Sequence, residues 1–408
     1  MGGIGLIELQ KVRLGDICKF QNGYAFKSKD FIRDGQYNVV KIKELKNGKV
    51  KFFEDTATID LNIDEYENYS IFKGDVLFAL TGDPVNKNNP LSWVGRVAIY
   101  KEDNVSLLNQ RVCKVITEED KILKEYVYYY FRVFENFYSL AAKATGSASQ
   151  ANISTKTIAD TEMMIPSVET QKKIVKLLSA LDDKIDNNNQ INDNLQQQIQ
   201  MFFNKICVAS FDSVPMATII DVRDGTHDSP KVQAAGFSLI TSKHLLPFGV
   251  DKITANLISE SDYLKINERS KVDTNDILLS MIGTVGLVSL VTEELVDFAI
   301  KNVALFKTSN CIELIYFIHC YLCSDSTKQN IERCLAGSTQ KYISLGELRK
   351  LPVCLPDRSI IQHFNSIVKP IYDLITVNVY ENKKLITLRD AILPKAMSGY
   401  LDVSDICI

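Results

Sequence analysis

The chain has 408 residues, of which 46% are hydrophobic and 24% charged, with a formal net charge of −3. That length allows two to three domains with ample cores, and the composition is that of an ordinary folded protein. The charge excludes nucleic-acid binding by bulk basicity, so only a local patch could do it, and no apolar run approaches the roughly 18–20 residues of a membrane helix.

The opening MGGIGLIELQKVR lacks a basic region followed by an apolar stretch, and Leu6 stands where N-myristoylation wants Ser or Thr. Neither a secretory signal nor a lipid anchor is expected. Nine scattered cysteines fit the reduced thiols of a cytoplasmic protein better than a disulfide framework.

Over 1–165, short β-branched and aromatic runs cut by NGK, KGD and TGD predict strands joined by tight turns. An aromatic-rich helical stretch follows over 122–143, its tyrosines expected in packing. After Pro166 the pattern changes. Ile174, Leu178, Leu181, Ile185, Leu195, Ile199, Phe202 and Ile206 alternate by four and three, an a/d seam in which Asn188 and Asn192 fill the two missing places. With Ser167 as cap, a helix from about 168 to 208, within a spacer region 166–209, would be roughly 60 Å long at ~1.5 Å per residue.

Over 210–356 the strand-and-turn pattern returns, and a second apolar helix is predicted over IELIYFIHCYLC (312–323). Its HCYLC supplies too few ligands for zinc and reads as buried thiols. From Asp357, a second capped helix over 357–408 carries Phe364, Val368, Ile371, Ile375, Asn378, Asn382, Leu385 and Ile392 on its seam. Pro370 is expected to kink it, Pro394 falls near its end, and Gly399 is a plausible stop. Asparagines at matched seam positions would meet in an antiparallel pairing and penalise misalignment, because a buried amide must find a partner.

The chain repeats itself. Pro166 and Pro356 occupy the same point of two similar stretches, 356 − 166 = 190 residues apart. GSASQANIS (146–154) answers GSTQKYIS (337–344), VKIKEL (40–45) answers ITSKHL (240–245), and LLNQRVCKVI (107–116) answers FAIKNVALFK (298–307). Such a period is too long for a solenoid and reads as one module used twice.

Catalytic signatures are missing. The chain has no phosphate loop, dinucleotide fingerprint, nucleophile elbow or zincin pair, and none of His227, His244, His319 and His363 has an evident nucleophile beside it. A nuclease-like carboxylate pair drawn from Asp34 and Glu44 has a spacing common by chance. Two modules and a rod without a reaction centre point to recognition.

Here a resemblance enters. LGDICKFQNGYAFKSKDF, DGTHDSP, KGDVLFALTG, GSASQANIS with IPSVETQKKIVKLLSALDDKI, and LITLRDAILPKAMSG, in that order over nearly the whole chain, resemble the specificity subunits of type I restriction–modification systems. The resemblance implies an α+β fold: two similar α/β target-recognition domains (1–165 and 210–356) separated by two long antiparallel coiled-coil helices (166–209 and 357–408). It also implies that each domain reads one half of a split site in double-stranded DNA, while the helices set the half-site separation and dock two modification (methyltransferase) subunits, with restriction subunits joining them. S-adenosylmethionine, ATP and Mg²⁺ would belong to those partners; this chain would hold no cofactor or metal and catalyse nothing.

Phosphate contacts should come from Lys and Arg, and base reading from side chains at the groove floor. The candidates are Lys41, Lys43, Lys46, Thr81, Arg96, Arg111, Lys143 and Gln150 in the first module. In the second they are Thr226, His227, Lys231, Lys243, His244, Thr284, Lys301, Gln340 and Lys341. The Gly-Ser…Gln loops read equally as structural joints. A coiled-coil scaffold whose modules bind only proteins is the alternative.

Overall fold

The computed structural model describes residues 7–87, 89–147, 149–206, 213–337, 340–404 and 406. The chain divides into two compact units: one runs to Ile185 and takes up Lys384 onward, the other is Asp186–Lys383.

The duplication is visible strand by strand. In the first unit the main sheet runs in the order Cys18–Asn22, Val112–Thr117, Val76–Ala79, Val97–Ile99, then the short hairpin strands Lys49–Val50 and Leu45–Lys46. The second unit repeats the first four places with Val222–Asp224, Val303–Phe306, Ile277–Ser280 and Val288–Leu290. The central strands, VLFA and ILLS, are buried at every position. That explains why they read as unbroken apolar runs instead of alternating.

A smaller sheet also recurs. Tyr37–Val40 lies parallel to Ser106–Leu108 with Val39 opposite Leu107, and Phe237–Ile240 lies parallel to Phe298–Ile300 with Leu239 opposite Ala299. Each module is closed by pairing a strand near its start with one at its end. Val12 faces Met163 across Gln10–Arg13 and Glu162–Ile165, and Val214 faces Val353 across Ser213–Pro215 and Pro352–Cys354. The units differ in detail: where the first pairs Leu45 with Val50, the second has only a bridge from Leu245 to Val250. The first carries an Asn47-Gly48 hairpin, both residues at positive φ as a two-residue turn demands; the second carries a helix, Glu260–Ser270.

The long helices are Val168–Ile206 and Arg358–Met397, of 39 and 40 residues. Pro370 lies on an exposed face and does not end the second one. In the first unit Ile174 and Leu178 share a core with Leu393, Ala396, Met397 and the tyrosines of Lys124–Arg132. The buried Asp182 carboxylate there accepts hydrogen bonds from the Tyr129 hydroxyl at 3.0 Å and from Arg389 at 2.8 Å. In the second unit Ile199 and Phe203 pack with Phe364, Val368, Tyr372 and Ile375. The two helices run antiparallel within each unit.

The four seam asparagines meet in the second unit. Asn188 donates Nδ2–H to Asn382 Oδ1 at 2.9 Å and to Glu381 Oε2 at 2.7 Å, Asn378 donates to Asn192 Oδ1 at 2.8 Å, and Asn382 donates to Asn189 Oδ1 at 2.9 Å.

The seam departs from the expected heptad in both copies at the same step. Leu181 and Ile371 are only half-buried, while Asp182 and Tyr372 take the inward positions; Phe203 and Leu393 likewise lie deeper than Phe202 and Ile392. A helix of 3.6 residues per turn drifts from a strict seven-residue repeat, so the seam takes two successive steps of four, at 174, 178, 182 and at 364, 368, 372. Ile185 is buried, Leu195 is half-buried against the second core, and Leu385 is half-buried.

Candidate DNA interface

The segments VKIKEL and ITSKHL form the same tight turn in each unit. Glu44 is fully buried and accepts the Lys41 backbone N–H through Oε2 at 3.0 Å. His244, also buried, accepts the Thr241 backbone N–H through Nδ1 at 3.0 Å. Burial pushes the Glu44 carboxyl above its usual range and the His244 imidazole below its own, the directions expected when a charged form is desolvated.

Two residues expected from sequence to contact DNA are instead engaged in the interior. His244 is the interior cap of a turn. Arg96 points inward, its guanidinium donating to the carbonyls of Ile42, Leu45, Ser92 and Trp93 at 2.6–3.2 Å. Such a fork has no free edge for a phosphate.

The lysines of VKIKELKNGKVK are partly engaged as well. The Lys41 ammonium sits 4.0 Å from the centroid of the Phe31 ring, and Lys43 bonds both the carbonyl and the carboxylate of Asp55 at 2.7 and 2.8 Å. Lys46 and Lys143 are exposed.

Thr81 and Arg111 do come together. Thr81 is buried and donates Oγ1–H to Asn152 Oδ1 at 2.9 Å, and Arg111 Nη1 leans on both oxygens at 3.4–3.5 Å. Asn152 was not among the sequence candidates, although it lies inside the repeated GSASQANIS.

The described residues flanking the phrase's turn pair in both units, Thr145–Gly146 with Ala151–Asn152 and Ala336 with Tyr342. Gly146 and Gly337 take φ of +142° and +93°, and a Cβ on either would meet a carbonyl oxygen, of Gln150 or Gln340, at 2.3 Å. The hairpin strand Ala151–Asn152 pairs with Thr81–Gly82; Tyr342 bridges Ala336 and Ile282 in the equivalent place. Ile153 and Ile343 are buried, and the hydroxyls of Ser154 and Ser344 cap the short helices that follow. The shared letters thus hold a joint together, and the exposed Gln150 and Gln340 stand beside it.

In the second unit Lys243, Thr284 and Gln340 line one open cleft of about 340 Å³, together with Thr241 and Asn302. Thr226, His227 and Lys231 line a neighbouring cleft of about 720 Å³ with Lys265 and Arg269. Both ring nitrogens of His227 are engaged, Nε2 with the buried Asp224 carboxylate at 3.0 Å and Nδ1 with Asn302 Oδ1 at 2.8 Å. Asp224 also pairs with Arg269. Lys301 donates to Ser229 Oγ at 2.5 Å, and Lys341 is exposed beside Gln340.

The HCYLC segment is a packed network. The Tyr372 hydroxyl bonds His319 Nδ1 at 2.7 Å and lies 3.3 Å from Cys320 Sγ, and burial holds the His319 pKa down at about 4. No His, Cys, Asp and Glu cluster fit for a metal occurs among the described residues, and no helix among them is long and apolar enough to cross a membrane.

Two copies of one mixed module, each closed by its own end strands, define a duplicated two-module protein. The family described as "Type I restriction modification DNA specificity domain" matches residues 7–197 and 234–387, and the chain belongs to it. It is 25% identical to the type I restriction enzyme MjaIX specificity subunit of Methanocaldococcus jannaschii over 77% of this chain and 76% of that one. It is 23% identical to the EcoBI specificity subunit of Escherichia coli over 96% and 86%. The fold is shared with the crystal structure of the type I restriction–modification S subunit from M. genitalium, at a TM-score of 0.55 and 14% identity, covering 97% of this chain and 98% of that one.

Proposed function

We propose that this chain is the non-catalytic, sequence-reading subunit of a cytoplasmic type I restriction–modification complex. Each module binds one half of a bipartite, asymmetric site in double-stranded DNA. The paired helices dock two modification subunits, and restriction subunits complete the nuclease; S-adenosylmethionine, ATP and Mg²⁺ act in those partners. The observation that carries this reading is the strand-by-strand repetition of one sheet order with different side chains at equivalent places. Two alike frames with unlike surfaces suit a site of two unlike halves.

Selection of bound duplexes from a randomised pool, with the chain assembled on its modification subunit, tests the proposal. It requires two enriched segments separated by an unselected gap of fixed length. One continuous segment, or no enrichment, would overturn it.

A further inference from the structure

We infer that Arg111 is the residue with which the first unit reads a guanine in its half-site, and that Thr81 and Asn152 are the positioning residues that aim it. The inference rests on the reading above that this unit binds DNA.

Among the described residues of the first unit, every other arginine but the solvated Arg33 is committed to a carboxylate or a backbone carbonyl. Arg13 pairs with Asp16 and Asp160, and Arg389 with Asp182 and Asp390; Arg132 bonds the Asn47 carbonyl, and Arg96 four carbonyls, whereas Arg33 only comes within 3.9 Å of its exposed neighbour Asp34. Arg111 has neither kind of partner. Its Nη1 leans on Thr81 Oγ1 and Asn152 Oδ1, which are themselves bonded across paired strands. Its Nε and Nη2 make no hydrogen bond among the described residues, and the side chain is exposed.

The backbone beneath it is equally fixed. The Arg111 carbonyl accepts the Leu80 N–H at 2.9 Å, and the Gln110 N–H reaches the Tyr24 carbonyl at 2.9 Å. The result is a planar fork with Nη1 resting against two oxygens and its Nε–Nη2 edge presented. A phosphate needs only nearby positive charge, which a loose lysine supplies. A guanine edge needs two parallel donors in a fixed plane for O6 and N7.

The second unit supports the assignment by contrast. The equivalent place, immediately before the strand Val303–Phe306, is held by Asn302 at φ +54° with its amide oxygen against His227. At Asn152's place in the repeated phrase stands Tyr342. The same position in the frame therefore presents different donors in the two units.

The test is sequencing of methylated adenines in DNA treated with the complex of this chain and its modification subunit, comparing wild type with Arg111→Ala, Arg111→Lys and Asn152→Ala. The expected result is that Arg111→Ala relaxes one G·C position of one half-site, losing about tenfold or more in discrimination there, while the other half-site is unchanged. Arg111→Lys relaxes the same position although it keeps the charge, and Asn152→Ala relaxes it less. The inference is overturned if Arg111→Ala weakens binding alike on all sequences with every base preference retained, the signature of a phosphate contact, or if it changes neither. Should the alanine variant not fold, Arg111→Lys decides alone: an unaltered site overturns the inference. If wild type marks no specific sequence, the proposed function falls instead, so the two failures are distinguishable.

Discussion

Asn188 and Asn382 face each other across the two long helices, buried, with the amide of one donating to the carbonyl of the other at 2.9 Å. Beside them Asn378 and Asn192 repeat the arrangement at 2.8 Å. A leucine at these positions would pack in several registers. An amide satisfies its hydrogen bonds in only one, so these pairs set alignment at some expense in stability.

Asn382→Leu should therefore destabilise the second unit, because it takes a partner from the buried Asn188 and breaks the bond to Asn189. The expected loss is about 1–3 kcal/mol, read as a lower midpoint in urea. The double variant Asn188→Leu with Asn382→Leu should recover most of that loss. A double variant as unstable as the sum of the two single variants would contradict the role assigned to the pair.

Arg96→Ala should act on folding. It strips the donors from four carbonyls and is expected to cost about 2–4 kcal/mol. The stability loss should appear in denaturant curves without DNA present. An Arg96→Ala chain of wild-type stability but weakened DNA binding would contradict this structural role and make Arg96 a DNA contact.

Acid should weaken the second unit through His319. Burial lowers its folded pKa from the usual 6.5 to about 4. Between those values the unfolded chain binds the proton and the folded chain does not. Stability is therefore intact above pH 6.5, falls as pH drops toward 4, and loses nothing further to this group below that. The loss is about 3 kcal/mol at ~1.4 kcal/mol per pKa unit. His244, also shifted down by burial, adds in the same direction. Unfolding curves from pH 7 to 4 check this: His319→Gln should show a shallower fall than wild type, and parallel curves would contradict it.

Lys243 lies exposed in the cleft with Thr284 and Gln340. Lys243→Ala should lower affinity for specific and non-specific duplex alike and reduce the slope of log affinity against log salt by about one. Titrations at several salt concentrations measure this directly. An unchanged slope would place Lys243 off the phosphate backbone.

How much of this could be read from residues alone depends on how local the signal is. The amide lock was legible because a polar residue in an apolar 4–3 seam stands out within a dozen positions. The shift from Leu181 to Asp182 was not, since the drift of the seam depends on the real helical pitch, and a carboxylate is buried only because Tyr129 and Arg389 reach it. The duplication was legible as loose echoes, yet the equivalence of Glu44 and His244 as turn caps was hidden by their chemistry. Arg96 and His244 looked like DNA contacts because charge is visible in sequence and burial is not. Asn152 was overlooked, although comparing the two copies of the repeated phrase isolates it as the strand position where Tyr342 replaces it. Lys265 and Arg269 could have been found from their one-turn spacing in ESDYLKINERS behind the capping Ser259.

The most direct test of the central claim is to map methylated adenines in DNA treated with this chain plus its modification subunit, beside the same reaction with either protein left out. The account predicts methylation only with both present, confined to a two-part sequence with a fixed unread gap. Methylation by this chain alone, or a mark on one uninterrupted sequence, would contradict it.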